Sequence, residues 1–255
     1  MSGADGWTRR GTIGGAAALM LAGHARAATP STVRAPAGDF VGVPDRGVTA
    51  FKGIRYGRAE RFRAPVRVSM PGQIRPAQAF GPVCPQSGPY APQSEDCLFL
   101  NIWTADADRR AKKPVMVYIH GGAYSNGSVT DPQNDGQGLA ARGDVVVVTV
   151  NHRLNALGYL YLARLDPRFP DSGNAGQLDL ILALQWVRDN IAAFGGDPSR
   201  VMVFGQSGGG AKIATMMGMP AAAGLFHRAA TMSGQQVTAS GPLNATSRAR
   251  AYLAQ

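Results

Sequence analysis

The sequence predicts an α/β fold, with a mostly parallel central sheet and helices on both of its faces. Three observations carry that prediction. "PVMVYI" (114–119) and "DVVVVTV" (144–150) are continuous apolar, β-branched runs, as strands buried on both faces require. A helical pattern over 173–194 follows them, with Leu180, Ala183, Leu184, Val187 and Ile191 on one stripe and Leu178, Ile181, Leu182 and Trp186 widening it. "RVMVFG" (200–205) and "AATMSG" (229–234) then supply further buried strands, and this alternation is the α/β signature.

In chain order, the first 27 residues read as an export signal. Arg9 and Arg10 precede an apolar stretch from Ile13 to Ala22, and Ala25-Arg26-Ala27 fits an A-x-A cleavage site. The arginine pair points to the twin-arginine route. A Sec signal and a start codon assigned too far upstream are the alternatives. The apolar stretch is too short to span a bilayer, so no stable membrane insertion is expected. Export implies a periplasmic or secreted protein, with residues 28–255 forming one portion of a single domain. "FVGVPDRGVTAFKGIRYG" (40–57) reads as strands broken by a Pro-Asp-Arg-Gly turn. Residues 63–94, rich in Pro, Gly and Gln, read as an irregular surface excursion, and "CLFLNIW" (97–103) as a strand. The helix over 173–194 is stopped by "FGGDP", where glycine terminates and proline cannot continue.

Composition excludes several classes. Of 255 residues 45% are apolar and 16% charged, which suits a globular core and not a disordered chain. The net charge of +10 comes from 22 arginines against 4 lysines. The arginines are scattered, without a run or interleaved aromatics, so no nucleic-acid partner is expected. No phosphate loop, metal cluster or dinucleotide motif is present, and no cofactor is expected. Cys84 and Cys97 are close in sequence: in an exported protein they suit a disulfide, otherwise two buried thiols.

The chemistry lies in two strand-end turns. Gly205-Gln206-Ser207-Gly208-Gly209 sits between a buried strand and a helix. A turn that sharp needs small residues at its flanks, and it raises the serine Oγ at the carboxyl edge of the sheet. The helix beginning at Gly208 turns its free N–H groups and positive dipole end toward the same point. "YIHGGAYSNGS" (118–128) follows another buried strand, and Gly121 and Gly122 let its backbone direct N–H groups inward. Together with the N–H of Gly208 they form a candidate oxyanion hole for a Ser207 nucleophile.

On these residues the chain resembles the type-B carboxylesterase/lipase family of α/β-hydrolases, and within it bacterial esterases of the para-nitrobenzyl kind. "FGGDPSRVMVFGQSGG" (194–209) matches the family's serine signature, and "EDCLFLNIWTA" (95–105) its second signature up to Ala105. "FKGIRYG", "GPVCPQ", "VNHRLNALGYL" and "GLFHRAATMSG" are also family-like, so the resemblance covers residues 33–236. It implies an α/β-hydrolase fold, a serine hydrolase acting on a small-molecule ester, Ser207 as nucleophile and Gly121, Gly122 and Gly208 as oxyanion donors. It also implies a Cys84–Cys97 disulfide. The chain departs from the pattern at Gln206 for glutamate, Gly208 for alanine, His152 for tyrosine and Arg55 for proline, and "YGRAERFRAP" is shortened. Tyr124 is placed to narrow the acyl side.

The order serine, acid, histidine expected of such a triad is not completed. No Asp or Glu follows Ser207, and Asp197 is the last carboxylate. His227 falls at a position between helix and strand, His120 belongs to the glycine loop, His152 follows a buried strand and His24 lies in the export segment. The expectation is the N-terminal part of a longer esterase, nearly inactive alone, with acid and base beyond residue 255. A non-catalytic esterase-like module that binds partners, as in adhesion, is the other reading; an intact serine site favours the enzyme.

Overall fold

The structure, a computed structural model, describes residues 31–234 and 239–255; the expected export segment and His24 lie outside the described residues. The described residues open with a hairpin of β1 (Thr32–Ala35) and β2 (Gly38–Val41), then a second of β3 (Val43–Asp45) and β4 (Val48–Arg55). The turn between β3 and β4 falls on Arg46-Gly47, both at positive φ, inside the expected Pro-Asp-Arg-Gly signal. Strands β5 (Gly57–Arg58) and β6 (Val66–Arg67) form a short ribbon, and β7 (Ile74–Pro76) joins β2 in parallel. The rest of 63–94 is largely irregular, as its composition suggests.

The central elements follow: β8 (Phe99–Thr104), β9 (Lys113–Ile119), α1 (Gln137–Gly143), β10 (Val146–Val150), α2 (Asn155–Tyr159), α3 (Ala175–Asn190), β11 (Gly196–Gln206), α4 (Gly208–Met217), β12 (Arg228–Met232) and α5 (Pro242–Leu253). The main sheet has seven strands in the order β12-β11-β9-β10-β8-β4-β3. Only β12, β11, β9 and β10 run parallel to one another; β8, β4 and β3 pair antiparallel. The expected α/β sheet is present, and it is mixed: four of its seven strands are parallel and three pair antiparallel. The physical reason is local: β3–β4 is a hairpin, which can only be antiparallel, and no helix separates β4, β8 and β9 to make a parallel crossover.

Alternate residues of β10 face two cores. Val146, Val148 and Val150 join the large cluster with Leu184, Trp186, Val187 and Phe194 of α3 and the turn after it, and with Ile213 and Met216 of α4. Val147 packs with Trp103 and Ala140 of α1 on the opposite face. Period-2 alternation thus places valines on both faces of this strand, and its one polar residue, Thr149, is satisfied by Asn101 Nδ2 at 3.0 Å. Helix α3 is buried around most of its surface, including the charged Asp179. That carboxylate accepts two bonds from the Arg153 guanidinium, at 2.7 and 2.9 Å, and one from the Arg153 backbone N–H at 3.0 Å. The pair ties the loop after β10 to the core and fixes where His152 sits.

The expected Cys84–Cys97 disulfide is not formed. Both are free, buried thiols. The neighbouring Cys97 side chain draws Cys84 down from the ordinary thiol value, and the Cys84 side chain, with burial, pushes Cys97 up. Leu154 N–H also donates to Cys84 Sγ at 3.2 Å. The segment between the two cysteines is already closed without a covalent link: Val83 N–H bonds Pro92 O, Ser94 N–H bonds Val83 O, and the Gln86 backbone N–H donates to the Gln93 side chain.

Candidate active site

Ser207 caps α4 at the end of β11, with φ 52° and ψ −123°. A non-glycine residue there is strained by the clash of Cβ with its own backbone. The surroundings hold it in place. Ser207 N–H donates to Met232 O of β12 at 2.7 Å, and Ser207 O accepts from Ala211 N–H at 3.0 Å. The glycines around it are required by contact. A Cβ at Gly205 would lie 2.7 Å from Ile119 O, and one at Gly209 would lie 2.0 Å from the same oxygen. Strand β9 and helix α4 therefore touch backbone to backbone, and the two turns are brought together by that touch.

The glycine loop faces the serine, with one shift from expectation. Gly121 packs beside the elbow, its Cβ position 2.9 Å from Gln206 O and 3.5 Å from Ser207 Cβ. Gly122, at φ +87°, makes the turn itself: Ser125 and Asn126 N–H groups both donate to its carbonyl. The residue against Gly208 is Ala123. A Cβ at Gly208 would fall 2.6 Å from Ala123 N and 2.2 Å from Ala123 O. A cavity of about 370 Å³ at Ser207 is lined by Ala123, Tyr124, Gly208, Ala211, Ser233 and Gly234, and not by Gly121 or Gly122. Ala123 was not singled out in the sequence because it is not glycine, yet it adopts φ +53°. Its one signal was position, next to two glycines. Gly208 in turn leaves room for the Ala123 backbone, which accounts for glycine where the family more often has alanine.

Tyr124 begins a wider, aromatic hollow. A cavity of about 570 Å³ adjoins the first across Ala123 and Tyr124, and Tyr159, Tyr161, Arg248 and Tyr252 also line it. Tyr124 and Tyr159 meet edge to face, centroids 4.8 Å apart. Helix α5 forms one wall of this hollow through Ala245, Arg248, Ala249 and Tyr252.

The histidines lie elsewhere. His227 is at the opposite end of β11: its backbone N–H donates to Val201 O and its Nδ1 accepts from Val201 N–H. Val201 is six residues from Ser207, about 20 Å along an extended strand, so His227 is structural, as its position suggests. His120 is buried with Nδ1 2.9 Å from Gly121 O, and its ring stacks on that of His152 with centroids 4.7 Å apart. Burial, and then the nearby Lys212, hold His120 down at about 3; the same two causes in the same order, with His120 third, hold His152 well below the ordinary value. Both rings are neutral packing elements at physiological pH. No Asp, Glu or His lines the Ser207 cavity among the described residues. Among the described residues no group of three or more His, Cys, Asp or Glu could hold a metal, and no helix is long and apolar enough to cross a membrane.

A mixed sheet of this order, with a strained serine between β11 and α4 and a glycine loop from β9 against it, defines the α/β-hydrolase class. Within that class the chain belongs to the carboxylesterase family, whose profile matches residues 29–253. It is 43% identical over 213 residues to the para-nitrobenzyl esterase of Bacillus subtilis, covering 79% of this chain and 43% of that one. An esterase from Clostridium hathewayi, described as able to hydrolyse aliphatic aromatic polyesters, superposes with a TM-score of 0.77 at 52% identity, over 80% of this chain and 43% of that one. The Geobacillus stearothermophilus carboxylesterase EST55 does so with a TM-score of 0.82 at 40% identity, over 88% and 48%. The chain thus spans less than half the length of these relatives.

Proposed function

We propose that this chain carries the nucleophile half of a carboxylic ester hydrolase working by acyl transfer through Ser207. The observation that carries the reading is the strained Ser207 at the head of α4, with the backbone of 121–123 packed against Gly208 across a shared cavity. Ser207 Oγ attacks the ester carbonyl and passes its proton to a base. The tetrahedral oxyanion accepts from backbone N–H groups: those of Gly121, Gly122 and Gly208 expected from the sequence, with Ala123 as the loop residue nearest Gly208. The C–O bond then breaks, the alcohol leaves with the proton, and water releases the acid by the reverse sequence. The base and its carboxylate are assigned to the part of the relatives' length that this chain does not span. Export through residues 1–27, to the periplasm or beyond, belongs to the same proposal on sequence pattern alone.

The substrate is proposed to be a small uncharged ester, its larger group lying in the tyrosine-lined hollow beyond Tyr124. The test is turnover of a short-chain p-nitrophenyl ester and covalent labelling by a fluorophosphonate, with the labelled peptide located by mass spectrometry. Ser207→Ala should abolish both and leave the unfolding midpoint unchanged; loss of a serine nucleophile costs on the order of a millionfold in turnover. Label on a different serine, or turnover that survives the substitution, would overturn the reading. Without the base, the 255-residue chain alone should fall far short of a longer form that supplies one.

A further inference from the structure

Lys212 is the one buried ammonium among the described residues, and the acyl-transfer mechanism does not use it. It lies in α4, five residues after Ser207, and its side chain is fully enclosed. Nζ donates to Ala123 O at 2.6 Å and sits 5.2 Å from the centroid of the Tyr124 ring. Among the described residues no carboxylate pairs with it: Asp179, the buried acid of this core, is engaged by Arg153. The titratable groups facing it are His120 at the end of β9, His152 after β10 and Tyr124 of the loop. Among the described residues His120 Nε2 is buried without a hydrogen-bond partner, and the His152 ring has at most a weak contact with the Val150 backbone. An uncompensated cation in such a setting is expensive. Burial alone pulls its value from 10.5 down to about 7.

An apolar side chain would fill this space at lower cost, so the lysine must supply something a hydrocarbon cannot. What it supplies is a donor for one carbonyl. Ala123 is an exposed loop residue with its φ at +53°, yet its C=O packs against Gly208 and meets the enclosed Lys212 Nζ. A buried carbonyl without a partner is itself costly, and the rest of the loop offers Ala123 O nothing else. The neighbouring supports hold other groups: Gln86 takes both the N–H and the C=O of Gly127, and Asn155 N–H takes Tyr124 O. In either protonation state Nζ retains N–H to donate.

We infer that Lys212 is a positioning residue for the glycine loop: by binding Ala123 O from below it keeps the N–H face of residues 121–123 turned to Ser207. The inference rests on the proposed role of that loop as an oxyanion hole. It ties the loop to the same helix that presents the nucleophile, so that the two halves of the site move as one body.

The substitution that tests it is Lys212→Met, which keeps the stem and removes the donor and the charge. Hydrogen exchange in the purified protein should speed up over residues 120–127 by roughly tenfold to a hundredfold, the opening cost of one charge-assisted hydrogen bond. Exchange over 175–190 should be unchanged and the unfolding midpoint not lowered, since a buried charge is lost together with its bond. In a longer form that supplies the base, kcat for a p-nitrophenyl ester should drop roughly tenfold to a hundredfold at nearly constant KM, less than removal of an oxyanion donor itself. Unchanged exchange over 120–127, or faster exchange spread across the chain with a lowered midpoint, would overturn the anchor. A longer wild-type form that supplies a base and still neither hydrolyses esters nor labels at Ser207 would instead sink the hydrolase reading, and the exchange measurement would still decide the anchor.

Discussion

The two turns that build the site are held by different means. The elbow at 205–209 is held by its own backbone: Gly205 and Gly209 sit against Ile119 O with no room for a side chain, and Ser207 bonds the main chains of β12 and α4. The loop at 120–127 is held from outside by side chains and loops far off in sequence. Gln86 bonds Gly127, Lys212 bonds Ala123, and Asn155 bonds Tyr124. The contrast teaches that a turn fixed by backbone contact writes itself into its own glycines. A turn fixed by side chains distributes its specification over the chain.

The largest effect should come from breaking the elbow. Gly209→Ala drives a methyl onto Ile119 O and should destabilise by more than about 3 kcal/mol, or prevent folding, since neither backbone can yield. Chemical denaturation checks it; a loss below about 1 kcal/mol would mean that the strand and helix separate easily.

Next comes the point where elbow and loop touch. Gly208→Ala places its methyl on the Ala123 backbone, which can shift because side chains hold it. A cost of about 1–3 kcal/mol is expected, with a fall in turnover larger than that loss of stability explains. The double variant Ala123→Gly with Gly208→Ala should recover part of the turnover. Recovery would sharpen the view that this pair is matched; none would break it.

A smaller effect separates the turns by pH. The elbow has no titratable group, whereas His120 and His152 under the loop are held neutral. Their native values lie below the ordinary 6.5 while the unfolded chain protonates near 6.5. The stability they contribute is complete above about 6.5 and is lost as pH falls toward 3, because the unfolded state takes up the protons first. Urea midpoints at pH 7 and pH 5 should differ, and His152→Tyr should reduce that difference. An acid slope unaffected by that substitution would remove the histidines from the account.

The smallest effect is a null. A disulfide across Cys84 and Cys97 would contribute about 3 kcal/mol, so a reductant would lower the unfolding midpoint by several degrees. Free thiols predict no shift on adding dithiothreitol.

Much of the nucleophile's surroundings was legible because its physics is local. The valine run of β10 and the strand before Ser207 announce burial on two faces, and Gly205 and Gly209 announce a turn with no space. The elbow, the helix before it and the family resemblance all follow from such short stretches. Other features were not legible for the same reason. The antiparallel half of the sheet depends on how β4, β8 and β9 are connected, which apolar runs do not reveal. The cysteines were paired by resemblance, while the structure closes their segment with backbone and glutamine hydrogen bonds.

By itself, then, the sequence determined the α/β class, the strained Ser207 turn and the glycines that flank it, since each rests on burial periodicity or on backbone room within a few residues. Only the tertiary structure decided that Ala123 meets Gly208, that Asp179 is spent on Arg153, that His227 stands at the far end of β11, and that Lys212 lies under the loop. Those facts are relations between segments tens of residues apart. A buried charge or an inward carbonyl finds its partner only when packing brings the two together, and no spacing along the chain records that meeting.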